Sequence, residues 1–170
     1  MTDDTTASTR TGSDDDPVAK LAELLGDFRF AMLTTLDSTG KLTAHPLTVQ
    51  ETEFDGDLWF LVSRSSSAVA DLTAEPRAGV SLSSNDSWVS LSGRAWLVDD
   101  TAKVRELWSP VVEAWFQNGP DDPDVGLLKF EAESAEYWNT PGGRVASLLS
   151  FVKAKVTGEP YEGENAKVDL

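Results

Sequence analysis

Apolar and polar positions repeat with two different periods along this chain, and the change of period separates helices from strands. Near the start, apolar residues recur with the three- and four-residue spacing of one helical face, at Val18, Leu21, Leu24, Leu25 and Phe28. Three aspartates at 14–16, followed by Pro17, are typical of the cap and first turn of a helix. From Phe30 onward the apolar runs are short and separated by turn residues, which predicts strands.

Six segments are predicted to be strands: 30–36, 42–50, 58–63, 78–83, 88–98 and 125–137. A turn at 37–40 joins the first two strands, and Asp55-Gly56 leads into the third. A Ser-rich loop at 63–67 precedes a short predicted helix at 68–74, which ends before Pro76. Many short strands with few helices predict a mainly β (α+β) fold, a small barrel with flanking helices.

The segment 107–128, LWSPVVEAWFQNGPDDPDVGLL, concentrates aromatic residues. Apolar residues recur there at helical spacing, at Val104, Leu107, Trp108, Val111, Val112, Trp115 and Phe116. Because Pro110 interrupts the run, we predict two short helices or one kinked helix. A helix face this aromatic is expected to be buried against the core, a flat ligand or a partner chain.

The strand at 88–98 has two different faces. Its apolar face, which suits the core, consists of Val89, Leu91, Gly93, Ala95 and Leu97. Its other face carries Trp88, Ser90, Ser92, Arg94 and Trp96. Since a solvent-facing surface seldom carries two tryptophans, we expect a ligand or a dimer partner to cover this second face.

The two ends of the chain differ from its middle. Residues 1–16 are polar and acidic, which predicts a disordered tail. Residues 17–140 form the predicted folded domain. The extension at 141–170 is predicted to be weakly helical at 144–155 and then an acidic loop.

Composition narrows the function further. The formal net charge is −15, which disfavours nucleic-acid binding and gives a poor overall field for an anionic cofactor. The absence of cysteine excludes disulfides and thiolate nucleophiles and makes the cytoplasm the default location. No apolar run is long enough to cross a membrane, and no signal segment opens the chain, so we expect no membrane association.

Few residues offer chemistry by themselves. His45 is the only histidine, so a transition-metal site is not expected. A serine nucleophile would lack a plausible triad, and no obvious catalytic acid or base stands out. Residues 121–124, DDPD, match no calcium-loop pattern, and the turn interpretation is preferred over a divalent-cation site.

Four ordered stretches carry a resemblance to a known family: MLTTLDSTGKLTAHPLTVQ, DGDLWFLVS, WVSLSGRAWLVDD and the run from KVREL to AEYWN. Together they resemble the pyridoxamine 5'-phosphate oxidase-like split barrels, and within them the general-stress-protein group of FMN-binding proteins. The resemblance covers residues 18–139, and its most specific part is LWSPVVEAWFQNGPDDPD followed by AEYW. It implies a six-stranded antiparallel split barrel and a homodimer with FMN in grooves between the subunits.

The resemblance also implies where FMN is held. At positions where the family carries an arginine, a threonine and a lysine for the phosphate, this chain has His45 before Pro46, then Val62 and Ala68. Ionised phosphate needs donors, and losing these groups weakens its binding. Seven further residues complete the predicted cofactor site, as replacement donors to the phosphate or as neighbours of the isoalloxazine ring: Ser63, Arg64, Ser66, Ser67, Trp88, Ser92 and Trp108.

Each of these residues also has a purely structural interpretation. His45 would either donate to the phosphate or be a hydrogen-bonded barrel histidine, and the serine loop would either cradle phosphate or be a solvated loop. The leading hypothesis is FMN binding, with flavin-dependent reduction of an unidentified small substrate. The alternatives are a non-enzymatic flavin-binding or storage protein, and a degenerate barrel that has lost FMN or binds another flavin-like cofactor such as a deazaflavin. Oxidation of pyridoxamine 5'-phosphate itself is disfavoured, because no cluster for the substrate phosphate stands out.

Overall fold

The structure, a computed structural model, describes residues 16–50, 52–139 and 164–170. Most of the predicted tail and the predicted weak helix at 144–155 therefore lie outside the described residues. The described elements in chain order are α1 Pro17–Gly26, β1 Phe30–Leu36, β2 Leu42–Thr48, β3 Asp57–Ser63, α2 Ser67–Ala74, β4 Arg77–Ser83, β5 Ser87–Val98, α3 Thr101–Glu106, α4 Pro110–Trp115, β6 Val125–Asn139 and β7 Glu164–Asp169.

The strands form one antiparallel sheet in the order β2-β1-β4-β5-β6-β3, with β7 paired to β6. β2 and β3 are the two ends of this order, and within the described residues they do not pair with each other, so the barrel is split. The predicted mainly β (α+β) split barrel with flanking helices is confirmed, and six of its strands lie where the sequence placed them.

The predicted acidic loop at the end of the chain is wrong for residues 164–169, which form β7. This strand pairs with the second half of β6, from Ser134 to Asn139, where β3 no longer occupies the edge. Val168 is buried and Ala166 packs against the core, whereas Asn165 and Lys167 are exposed. The strand forms because β6 is 15 residues long and offers a free edge to this short alternating segment.

Helices α1 and α4 each begin directly after an N-capping residue. The side chain of Asp16 accepts a hydrogen bond from Val18 N, and Pro17 occupies the first turn of α1. Ser109 caps α4 in the same way, directly before Pro110. The expectation of two short helices in the aromatic segment is therefore confirmed, because Pro110 starts a new helix after α3 has ended.

Two apolar clusters hold the domain together. The larger lies between the inner face of the sheet and helices α1 and α2, and Phe60, Phe130 and Leu33 are fully buried in it. The smaller lies on the outer face of β3 and β6 beneath α3 and α4 and contains Leu107 and Leu127. Its aromatic pair, Trp108 and Phe116, has ring centroids 6.3 Å apart.

Val18 of α1 and Val111 of α4 depart from the predicted apolar helical faces, since 41% and 46% of their surfaces are exposed. Trp115 departs further, since 71% of its surface is exposed. The six-residue α4 ends at Trp115, so the Trp115 side chain lies outside the smaller cluster.

Among the described residues, no helix is both long and apolar enough to cross a membrane.

Candidate functional site

The outer face of the sheet is unusually apolar for a surface exposed in a single chain. The predicted alternation of β5 is confirmed: Val89, Leu91 and Ala95 are buried, and the opposite face is exposed. Paired residues continue this outer face across β1, β2, β4 and β6. Its large exposed side chains are Phe30, Met32, Leu42, Trp88, Trp96 and Trp138.

Two grooves cross this outer face and meet at Ser92. One, of about 380 Å³, runs over β1, β4 and β5 and is lined by Thr34, Gly79 and Ser92. The other, of about 270 Å³, lies over β5, β6 and β7 and is lined by Ser90, Ser92 and Lys167. The larger groove has the volume of a small-molecule site, and its floor is sheet backbone with small side chains.

Arginines beside the larger groove are already paired with carboxylates. Arg77 and Arg94 lie opposite each other on β4 and β5. Arg77 donates two side-chain hydrogen bonds to Glu75, which lowers the pKa of that carboxyl to about 2, and Arg94 donates one to Glu133 at 3.1 Å. These ion pairs leave the groove with little net positive charge.

His45 belongs to a polar cluster on the inner face of the sheet. Thr35 Oγ1 donates to Asp71 Oδ2 at 2.8 Å, and His45 Nε2 lies 3.2 Å from the same hydroxyl. Because the hydroxyl has only one hydrogen, it accepts from His45 while donating to Asp71 only in the tautomer that carries Nε2–H. The same nitrogen lies 4.0 Å from Asp71, so His45 faces a carboxylate of α2.

The serine loop is held by the segment that precedes β6. Ser63 Oγ donates to Asp124 Oδ2 at 2.5 Å, and Ser65 N donates to Asp124 Oδ1 at 3.0 Å. The Ser63 hydroxyl is the main group that lowers the pKa of the Asp124 carboxyl, with help from Ser65 and Arg64. Asp124 therefore acts as an internal anion for this loop, and the DDPD segment is a turn with protein partners.

Arg64 is directed away from the start of α2. Its backbone N donates to Asp124 O at 2.7 Å, its Nε donates to Val125 O at 3.1 Å, and its Nη2 donates to Asp99 at 2.8 Å. Two of the three guanidinium nitrogens, Nε and Nη2, thus have acceptors from the protein.

The start of α2 retains unused neutral donors. Ser66 caps the helix by accepting from Val69 N. Within the described residues, no acceptor takes a hydrogen bond from Ser67 N, Ala68 N or the Ser67 hydroxyl, and Ser67 is exposed. Ala68 and Val62 are buried core residues. The first turn of a helix with free N–H groups suits an anion, and among the described residues no cation is paired with this turn.

The residues predicted to bind the cofactor lie at several separate positions within one chain. His45 lies near the start of α2, because its neighbour Asp71 is one helical turn after Ser67. Pro46 points to the outer face instead, opposite Met32. Trp88 lies opposite Trp138 near the end of β6.

Trp108 packs at the other end of the sheet, on the cluster that contains Leu127. That position is eleven residues, or roughly 35 Å of strand, from Trp138. One ring could contact both Trp88 and Trp108 only if they came from different subunits.

Three polar residues were missed as site residues by the sequence analysis: Thr35, Asp71 and Asp124. Thr35 is fully buried and Asp71 lies on the inner side of α2. An aspartate between apolar residues of a helix was a signal for a buried partner. The importance of Asp124 had no local signal, since Ser63 is 61 residues away.

Known proteins resemble this chain over most of its length. The pyridoxamine 5'-phosphate oxidase like family model matches residues 16–162. Protein bli-3 of Neurospora crassa is 30% identical over 158 residues, which cover 86% of this chain and 76% of that protein.

Solved structures share the fold. A candidate general stress protein 26 from Jannaschia sp. CCS1 is 30% identical, with a TM-score of 0.76 over 90% of this chain and 98% of that one. The general stress FMN/FAD binding protein of Xanthomonas citri is 32% identical, with a TM-score of 0.63 over 73% and 89% of the two chains. The family model and the curated relative each span more than two thirds of the chain, and with the split-barrel sheet they lead to one conclusion: this chain belongs to the pyridoxamine 5'-phosphate oxidase-like family.

Proposed function

We propose that this chain is a cytoplasmic flavin-binding protein, with FMN as its cofactor, that works as a homodimer. The observation that carries the proposal is the outer sheet face, where Trp88, Trp96 and Trp138 are each more than a third exposed and which also carries a groove of about 380 Å³. The FMN/FAD binding relative from Xanthomonas citri supports the choice of ligand. Two related general stress proteins support a role in a stress response.

The shape of the groove supports the proposed second subunit. A flat ring system lying on the sheet near Ser92 would keep one face in solvent if the chain were alone. A partner that covers the exposed tryptophans would close that face and bury the apolar surface. The same arrangement would allow Trp88 of one subunit and Trp108 of its partner to border one ring.

Two roles for the bound flavin follow from the alternatives above. In an oxidoreductase, a bound flavin would supply the electron transfer to a small substrate, and the residues of this chain would hold and orient the ring. Within the described residues, the carboxyl groups with shifted pKa values, Asp37, Glu75 and Asp124, are all shifted downward. None of the three lines the larger groove, so none is a candidate general acid beside the proposed ring.

Binding is tested first on the purified protein. We expect flavin absorbance with one flavin per subunit, and a dimer in analytical ultracentrifugation. Trp88→Arg is expected to weaken both the dimer and flavin binding, since it places a charge on the outer face. The control Val18→Arg, on the exposed side of α1, should change neither. A monomer that binds no added flavin would refute the proposal.

Turnover separates the two roles. Steady oxidation of a reduced nicotinamide by the flavin-loaded protein, with an added electron acceptor, would establish the oxidoreductase. Stoichiometric binding without turnover would instead favour storage. Failure to bind FMN together with binding of a deazaflavin would favour the degenerate-barrel alternative.

A further inference from the structure

We infer that the flavin of this protein is selected through its ring system and not through its phosphate, because the described residues at the start of α2, where the resemblance places the phosphate, offer neutral donors only. The inference rests on the proposed function and specifies its ligand class as flavins with or without a terminal phosphate. FMN and riboflavin should therefore bind with similar affinity.

Arg64 is the cation of the serine loop, and its guanidinium is already occupied by protein acceptors. Its guanidinium is bonded to Val125 O and to the carboxylate of Asp99. The stem of Arg64 also packs on β6, since a Cβ atom at Gly126 would lie only 2.9 Å from Arg64 Cγ. Its charge is thus balanced, and its side chain is held along β6 instead of the first turn of α2.

His45, the other potential cation near α2, lies beside the Asp71 carboxylate. A charged imidazolium could attract a phosphate, but Asp71 lies 4.0 Å from Nε2 and receives the hydrogen bond of Thr35. The Asp71 carboxylate therefore offsets a positive charge on the imidazole. A dianionic phosphate placed beside them would meet the Asp71 carboxylate.

Several donors of the serine loop are already used within the protein. Asp124 already accepts from the Ser63 hydroxyl and from Ser65 N. What remains is the neutral set at the start of α2, the N–H groups of Ser67 and Ala68 and the Ser67 hydroxyl. Neutral donors exchange hydrogen bonds to water for hydrogen bonds to phosphate, so their net gain is small compared with that of an arginine or lysine clamp.

The effect of salt on FMN affinity distinguishes a phosphate held by free cations from one that is not. The chain carries a formal charge of −15, and a phosphate monoester carries about −1.5 to −2 near neutral pH. Salt screens repulsion between them, so added salt should leave FMN affinity unchanged or raise it. A site that held the phosphate with free cations would lose affinity as salt increased.

The test is a fluorescence titration of the flavin-free protein with FMN and with riboflavin at low and at high salt. We expect the two dissociation constants to agree within about threefold, and added salt not to weaken FMN binding. A preference for FMN of more than about thirtyfold that declines with salt would overturn the inference. Loss of binding for both ligands would instead overturn the proposed function.

Variants test the same point from the opposite direction. Ser67→Lys adds the missing cation at an exposed position, and we expect it to strengthen FMN binding about three- to fivefold without changing riboflavin binding. Ser38→Lys, in the exposed β1–β2 turn, is the charge-matched control and should change neither. His45→Ala should affect both flavins equally. A selective loss of FMN in His45→Ala, or no gain in Ser67→Lys, would show that the phosphate already has its anchor.

Discussion

Replacing Gly93 by alanine should destabilise this protein more than any ordinary glycine substitution in its sheet. Gly93 lies where the register between β5 and β6 shifts, with Glu133 as the extra residue of β6. A Cβ atom there would lie 2.0 Å from Glu131 O, whereas ordinary contact begins at 3.4 Å. The two strands would have to separate locally by about 1.4 Å, and because the obstacle is backbone, no rotamer change relieves it.

We expect Gly93→Ala to lower the free energy of unfolding by about 3 kcal/mol, the upper end of the usual cost of overpacking. For a chain of this length that corresponds to a fall of roughly 6–12 °C in the melting temperature. Urea unfolding should show a lower midpoint with an unchanged slope. The control is Gly79→Ala, because a Cβ atom at that position meets only Leu91 O, at 3.6 Å. If the two variants agreed within about 0.5 kcal/mol, the close approach at Gly93 would be refuted.

Three further changes test other parts of the fold. The Ser63 hydroxyl holds the pKa of Asp124 below its ordinary value, so the stabilising effect of Asp124 is complete above about pH 4 and is lost as the pH falls through the lower folded-state pKa. The stabilities of wild type and Asp124→Asn should therefore differ at neutral pH and converge in an acid titration; a constant difference would contradict this. Val168→Asp buries an unpaired charge under β7 and should cost about 2–4 kcal/mol in urea unfolding, whereas a solvated terminal loop would tolerate it. Phe130→Ala should cost about 3–5 kcal/mol, because Phe130 is fully buried, while Trp115→Ala should stay within about 0.5 kcal/mol; equal losses would refute the assignment of the core.

The elements that the sequence predicted correctly are those whose signal is local. α1 and the six predicted strands alternate or repeat apolar residues within a single segment, and Pro17 and Pro110 mark helix starts directly. β7 was missed because only Ala166 and Val168 are apolar in it, and its partner is an edge of β6 about thirty residues earlier. Trp115 was misjudged because periodicity predicts a face and does not predict where a short helix stops.

The candidate site was predicted as a set of residue types, while its electrostatics depended on pairings between distant segments. By residue type, Arg64 and His45 are potential phosphate donors. The structure places Asp99 against Arg64 and Asp71 against His45, at separations of 35 and 26 residues along the chain. A donor that already has a buried or charged partner must lose that bond before it binds a ligand, and the exchange returns little free energy. A prediction from polar residue types alone therefore overestimates the affinity of this acidic chain for an anion. The preference between FMN and riboflavin depends more on the partners of these donors than on the donors themselves.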